Sequence, residues 1–263
     1  GYLLFKIAKG LTLKVNGAAD VTNNGKRTYY SHITQNGEIA DGVGELNNEV
    51  ASYFQNSNIL TYDTRFNDSH HLTLTGVAET QLQKSNGSWI YAEGFFSDET
   101  GINDLGQASS IPQKSSFDTK RVINSFMGRA FYSYAEKYLL TISYRADGAS
   151  VFGANNKWGY FPSTSLAWRM SEEEFIKDLN IFSDLKLRGS WGITGNQAIT
   201  PYKTLDAIGS GYSYPYNGTG ATDVGYAALR PTSPNLKWET TTQTNFGIDF
   251  GFFENRLTAT VDA

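Results

Sequence analysis

Cysteine is absent from this 263-residue chain, which excludes disulfides and thiolate metal sites. Histidine is scarce, with only His32, His70 and His71. His70 and His71 are neighbours, so one strand would point them to opposite faces and they could not share a metal. An excess of positive charge is also missing. The 22 Lys and Arg against 26 Asp and Glu give a formal net charge of -4, and no basic face marks a nucleic-acid partner. No stretch approaches 18 apolar residues, so no transmembrane helix is expected. Membrane strands stay open, because a barrel strand is only half apolar and its hydropathy signal is weak. The mean hydropathy of -0.39 is compatible with them. The chain shows no initiator Met and no signal peptide, and both ends fall in strand-like runs. The expectation is an internal piece of a longer protein.

What the chain has is strict alternation, the mark of strands. Leu185, Leu187, Gly189, Trp191 and Ile193 alternate with Lys186, Arg188, Ser190, Gly192 and Thr194. Thr244, Phe246, Ile248, Phe250 and Phe252 alternate with Asn245, Gly247, Asp249 and Gly251. Leu257, Ala259 and Val261 alternate with Arg256, Thr258, Thr260 and Asp262. About nine such runs occur, near 2–18, 49–66, 70–83, 118–134, 138–147, 157–169, 184–195, 243–253 and 256–263. Their length suits tilted membrane strands of about 9–11 residues with extensions.

The connections alternate long and short: 19–48 long, 67–69 short, 84–117 long, 135–137 short. After the intermediate 148–156 come 170–183, short and helical, then the very long 196–242 and the tight 254–255. Outer-membrane barrels segregate short periplasmic turns from long surface loops in this way. The fold expected is therefore all-β, an antiparallel transmembrane β-barrel. Leu185, Leu187, Phe246, Ile248, Phe250, Leu257, Ala259 and Val261 should face lipid. Lys186, Arg188, Asp249 and Arg256 should face the lumen or a periplasmic rim. One short periplasmic helix is expected near 171–179, with Ser171 as N-cap and Glu172, Glu173 and Glu174 in the first turn.

Aromatic residues, 14% of the chain, serve as a ruler. Trp158 and Trp168 share a face, and ten residues at about 3.3 Å span roughly 33 Å. A tilt of about 40° reduces this to roughly 25 Å, the height of the apolar band between aromatic girdles. Tyr134, Tyr138 and Phe252 lie beside proposed periplasmic turns. Asp147-Gly148 and Gly153 read as turn residues with positive φ, and Pro162 suggests a bulge in its strand. Asn86-Gly87-Ser88 and Asn217-Gly218-Thr219 read as simple turns.

No nucleophile–base–acid set is credible, and no cofactor or metal site emerges, so the chain is not read as an enzyme. Two aromatic clusters fall in long connections: Trp89, Tyr91, Phe95 and Phe96, and Tyr212, Tyr214 and Tyr216. Such faces could stack on sugar rings, hold an apolar partner surface, or pack the loops themselves.

Four motifs carry a family resemblance. They are R-x-D-G-x-S-x-F-G from Arg145, W-G-x-F-P-S from Trp158, L-K-L-R-x-S-x-G-x-T-G-N-Q from Leu185, and W-E-T-T-x-Q-x-N-x-G-x-D from Trp238. In this order and spacing the chain resembles SusC/RagA-like TonB-dependent transporters of Bacteroidota, firmly over about 118–263 and more loosely before. The resemblance implies a large, 22-stranded plugged barrel in the bacterial outer membrane, with residues 1–263 wholly within the barrel domain. The plug and the remaining strands would lie outside this chain. It further implies import of oligosaccharides, glycans or peptides, a SusD-like surface lipoprotein as partner, and energy from TonB–ExbB–ExbD acting through parts outside this chain. Two other readings stay open, a surface adhesion barrel and a soluble β-rich enzyme. A plug with a TonB-binding segment separates the importer from the first, and detergent dependence separates both from the second.

Overall fold

The computed structural model describes residues 1–215 and 222–263. Strands make up most of the described residues. Ten of them form one sheet in the order β1 (Tyr2–Ala8), β2 (Leu11–Tyr30), β3 (Val43–Phe66), β4 (His70–Phe95), β5 (Ala108–Tyr134), β6 (Tyr138–Ala149), β7 (Trp158–Arg169), β8 (Asp184–Asn196), β11 (Glu239–Phe252) and β12 (Leu257–Asp262). Neighbours in sequence are neighbours in the sheet, apart from a separate hairpin of β9 (Ala207–Pro215) and β10 (Thr222–Arg230) between β8 and β11. This up-and-down order is what alternating tight and long connections require.

Two compact units make up the chain. The first comprises Gly1–Asn16, Asn56–Thr80 and Ile123–Ala263; the second comprises Gly17–Gln55 and Gln81–Val122.

In the first unit, register decides which side chains share a face. Tyr138 pairs with Tyr134 and Trp168, Leu140 with Tyr132 and Leu166, and Ile142 with Ala130 and Thr164. The row continues through Trp168 to Leu187, Leu166 to Gly189, Leu187 to Ile248 and Gly189 to Phe246. This face is apolar and open, and two aromatic rows bound it. Tyr134, Tyr138 and Trp168 stack at one end, with centroids 6.3 and 6.2 Å apart. Phe126 stacks on Trp158 at the other, at 6.1 Å. Rings at two interfaces with aliphatic residues between them are the signature of a lipid-facing wall. Every residue expected on this face has the expected parity. Leu185, however, is only 6% exposed, because the foot of β8 lies against the helical turn at 170–172.

Several expected features are corrected. The run 2–18 is two strands, with Gly10 (φ +74) turning the chain between them. A Cβ at Gly10 would run into the Asp63 carbonyl, so the site excludes other residues on two counts. Positive φ occurs not at Gly148 or Gly153 but at the tight ends, in pairs at Asn67-Asp68 and Ala135-Glu136, as primed hairpin turns demand. Asp147 and Gly148 lie inside β6, where Gly148 makes room for the Trp158 indole. Gly153 has no space for a Cβ beside the Pro234 carbonyl. Asn86-Gly87-Ser88 lies within β4, and Gly87 accommodates Phe117; Asn217–Thr219 is outside the described residues. Pro162 causes no bulge: the β6–β7 register runs evenly from Tyr138↔Trp168 to Gly148↔Trp158. Instead the β7–β8 ladder stops at Ser163, next to the proline that has no N–H to donate.

The expected helix is shorter than 171–179. A 3-10 turn, Met170–Glu172, leads into α2 (Glu174–Lys177), and the N-cap is Glu173, not Ser171. Ser171 is buried and its hydroxyl donates to Asp184. A second short helix, α1 (Gln35–Ile39), was not expected; Thr34 caps it by accepting from the Gly37 N–H. The connections 19–48 and 84–117 are mostly strand, since β2 to β5 contain 20 to 27 residues each.

Candidate functional site

The face opposite the apolar one is polar. Arg188 forks onto Asp249, Nε to Oδ2 at 2.8 Å and Nη2 to Oδ1 at 2.9 Å, and also reaches Asp262 at 3.0 Å. Thr260 donates to Asp249, and Lys186 stands 4.0 Å from it. A two-pronged guanidinium–carboxylate pair fixes both side chains, and here it ties β8, β11 and β12 together. Higher on this face lies a concavity of about 480 Å³. Arg145 donates to Asp147 (2.8 Å) and Ser125 (3.0 Å) on its wall, and the Ser143 and Ser163 hydroxyls meet at 2.7 Å. Hydroxyls and paired charges on this face suit a water-filled interior.

The four sequence motifs meet at one rim of the first unit. Phe152 lies 4.9 Å and Phe161 5.3 Å from Trp238, ring centre to ring centre. Ile123, Ala149 and Val151 complete the buried cluster. Trp238 Nε1 donates to the Lys157 carbonyl at 3.0 Å, and the Gly153 N–H to Leu236 at 3.1 Å. Gly159 and Gly195 are required because a Cβ at either would press on Phe161 and Trp238. This is the physical meaning of the glycine and aromatic spacing. The cluster anchors the C-terminal end of the long 197–238 connection.

At the opposite ends of these strands, Glu173 gathers donors from three places. Tyr138 Oη donates at 2.7 Å, Lys137 Nζ at 2.9 Å and Trp168 Nε1 at 3.2 Å. These bonds, the tyrosine's first, hold its carboxyl down at about 2, against the ordinary 4.5. A depressed carboxyl stabilises the fold fully above its unfolded value and loses that contribution as pH falls from about 4.5 toward 2. Wild type should therefore exceed Glu173→Gln in thermal midpoint at neutral pH, with the gap closing across that window. A gap that stays constant down to pH 2 would refute the role of this carboxylate.

The second unit holds most of the candidate contact residues. Trp89 and Tyr91 sit on β4 with ring centres 6.3 Å apart. Phe95 is 2% exposed and packs edge-on against Tyr29 at 5.2 Å, so it belongs to the packing of this unit. Phe96 is 97% exposed. Tyr212 and Tyr214 lie on β9, paired with Gly225 and Asp223; Tyr216 is outside the described residues.

His32 was not a candidate, yet it organises this unit. Its Nδ1 lies 2.7 Å from Asp98 and its Nε2 3.0 Å from the Phe95 carbonyl, while Tyr29 Oη donates to the same carboxylate at 2.8 Å. Two acceptors on two ring nitrogens favour the imidazolium. Asp98 accordingly raises the His32 pKa, and His32 lowers that of Asp98. Burial, then the Asp98 bond, pushes the Tyr29 hydroxyl up to about 12. Tyr29 stands near the end of a 20-residue strand, well beyond the 9–11 residues a bilayer takes. Among the described residues no group of three or more His, Cys, Asp or Glu could hold a metal.

The family model described as TonB dependent receptor-like, beta-barrel matches residues 5–263. The chain belongs to this TonB-dependent receptor barrel family. Members are outer-membrane β-barrels, and the family is not an enzymatic one. TonB-dependent receptor P39 of Formosa agariphila is 34% identical over 272 residues, covering 99% of this chain and 25% of that protein. TonB-dependent receptor SusC of Bacteroides thetaiotaomicron is 41% identical over 160 residues, covering 59% of this chain and 16% of that protein. The solved RagAB peptide transporter superposes with a TM-score of 0.86 at 26% identity, covering 98% of this chain and 28% of that chain. The RagAB importer in its 'closed-closed' and 'open-open' states matches at 0.85 and 0.84. The chain spans a quarter or less of the length of the curated relatives it matches.

Proposed function

We propose that this chain is part of the wall of a TonB-dependent outer-membrane importer that takes up oligosaccharides, glycans or peptides with a SusD-like surface lipoprotein. The observation that carries the reading is the match to the RagAB transporter over 98% of the chain, joined to the family match over 5–263. Near-equal likeness to the 'closed-closed' and 'open-open' states supports a static role for this segment, a wall around which other parts move. The plug, the TonB-binding segment and the remaining strands of a 22-stranded barrel belong to the rest of the protein. Trp89, Tyr91 and Phe96 remain contact candidates in the second unit, where Phe95 is taken up by packing, and Tyr212, Tyr214 and Tyr216 are kept as candidates on their place in the 196–242 connection.

Copurification of the full-length protein from its native outer membrane, with growth of a deletion strain on glycans and peptides, tests this. A copurifying lipoprotein and a growth defect on one nutrient class are expected. Neither appearing would favour surface adhesion.

The orientation proposed places the ends with long strand extensions and connections, 19–48, 84–117 and 196–242, at the cell surface, and the tight turns 67–69, 135–137 and 254–255 in the periplasm. A membrane-impermeant thiol reagent on intact cells should label Ser88→Cys and spare Asn255→Cys. The reverse pattern would invert the barrel.

A further inference from the structure

The turns of the second unit expose three large apolar side chains, Ile33 (93%), Ile39 (83%) and Phe96 (97%). Single exposed apolar residues are ordinary, but a group of them on one tip marks a contact surface. These three belong to one tip, because each adjoins a residue bonded across it. His32 Nε2 meets the Phe95 carbonyl, the Phe95 N–H donates to Asp41 at 2.6 Å, and the Gly94 N–H donates to Ala40 at 2.9 Å. Tyr29, His32 and Asp98 clamp the same turns, and Thr34 caps α1. The surface is thus held in shape before anything binds, which reduces the ordering cost of association.

Charge indicates what binds. Residues 31–42 and 93–107 carry Glu38, Asp41, Glu93, Asp98, Glu99 and Asp104, and not one Lys or Arg. His32 pairs with Asp98, one positive group among six acidic ones. An anionic lipid surface would be repelled by such a tip, whereas a protein with an apolar seat ringed by Lys and Arg complements it.

We infer that this tip docks a protein partner at the cell surface, inserting Ile33, Ile39 and Phe96 into an apolar seat rimmed by basic residues. The inference rests on the importer reading, and its partner is the lipoprotein proposed there. Apolar anchors at the centre with charges at the rim are the usual division of labour in an interface.

The test uses the full-length protein purified from its native outer membrane. A benzophenone amino acid in place of Phe96 should crosslink to the copurifying lipoprotein, at a peptide containing Lys or Arg. The combined variant Ile33→Ser, Ile39→Ser, Phe96→Ser should retain about tenfold less lipoprotein while keeping wild-type barrel assembly. Glu38→Lys with Glu99→Lys should weaken retention at low salt and converge on wild type at high salt. If wild type retains the lipoprotein and the triple serine variant retains as much, the tip is not the seat and the importer reading stands. Crosslinks only within the same chain, or only to lipopolysaccharide, overturn the inference in the same way. If wild type retains no lipoprotein, the importer reading and this inference fail together.

Discussion

Arginine at position 142 should destabilise the barrel by about 2–4 kcal/mol, while arginine at position 141 should cost no more than about 1 kcal/mol. The two residues are neighbours on β6 but face opposite media. Ile142 pairs with Ala130 and Thr164 on the apolar face, midway between the Trp158 and Trp168 levels, and is half exposed. A guanidinium there must leave water for hydrocarbon or distort the bilayer to keep its hydration. Thr141 lines the polar concavity beside Ser143, Arg145 and Ser165. An arginine there stays hydrated. Denaturant titration of the full-length protein refolded into bilayers, with Ile142→Arg and Thr141→Arg side by side, measures the difference. Equal losses would mean that the two faces do not meet different solvents, and a larger loss at 141 would exchange lipid and lumen.

Most of this wall can be read from the sequence, because lipid on one face and water on the other force period-2 alternation. Leu187, Trp191, Phe246 and Ile248 announced their side, and register confirms it. Beyond the bilayer both faces meet water, and the alternation disappears. That is why the outer halves of β2, such as Asp20–Arg27, and of β4, around Lys84–Ser88, read as loops although they are strand. The turn at Lys9-Gly10 was hidden because apolar residues continue on both sides of it. Helix α1 was hidden because it has five residues, one of them Gly37. The tip clamp was beyond reach for a different reason: His32 and Asp98 are 66 positions apart, and each looks like an ordinary surface residue. Of the aromatic candidates, sequence could group Phe95 with Phe96 but not separate them. Their burial differs because one turns toward Tyr29 and the other toward solvent.

Trp238→Ala should remove about 3–5 kcal/mol of stability, the range for deleting a buried aromatic side chain. Trp238 is 9% exposed and touches Phe152 and Phe161, which come from the β6–β7 connection and from β7. Local collapse cannot refill its volume readily, since Gly159 and Gly195 have no side chains to move in. Trp238→Phe should be milder. It keeps most of the ring contact but removes the 3.0 Å bond to the Lys157 carbonyl, which still accepts from the Ala149 N–H at 2.9 Å, so the loss should be only about 0.5–1.5 kcal/mol. The two variants also separate wall from loop. Trp238 ends the 197–238 connection, so its loss should expose that segment to protease on intact cells while the Ile142 face remains in lipid. Denaturant midpoints of the full-length protein and limited proteolysis of whole cells provide the two readings. A loss below about 1 kcal/mol for the alanine variant, with 197–238 still protected, would mean that the four motifs converge on this rim without supporting it.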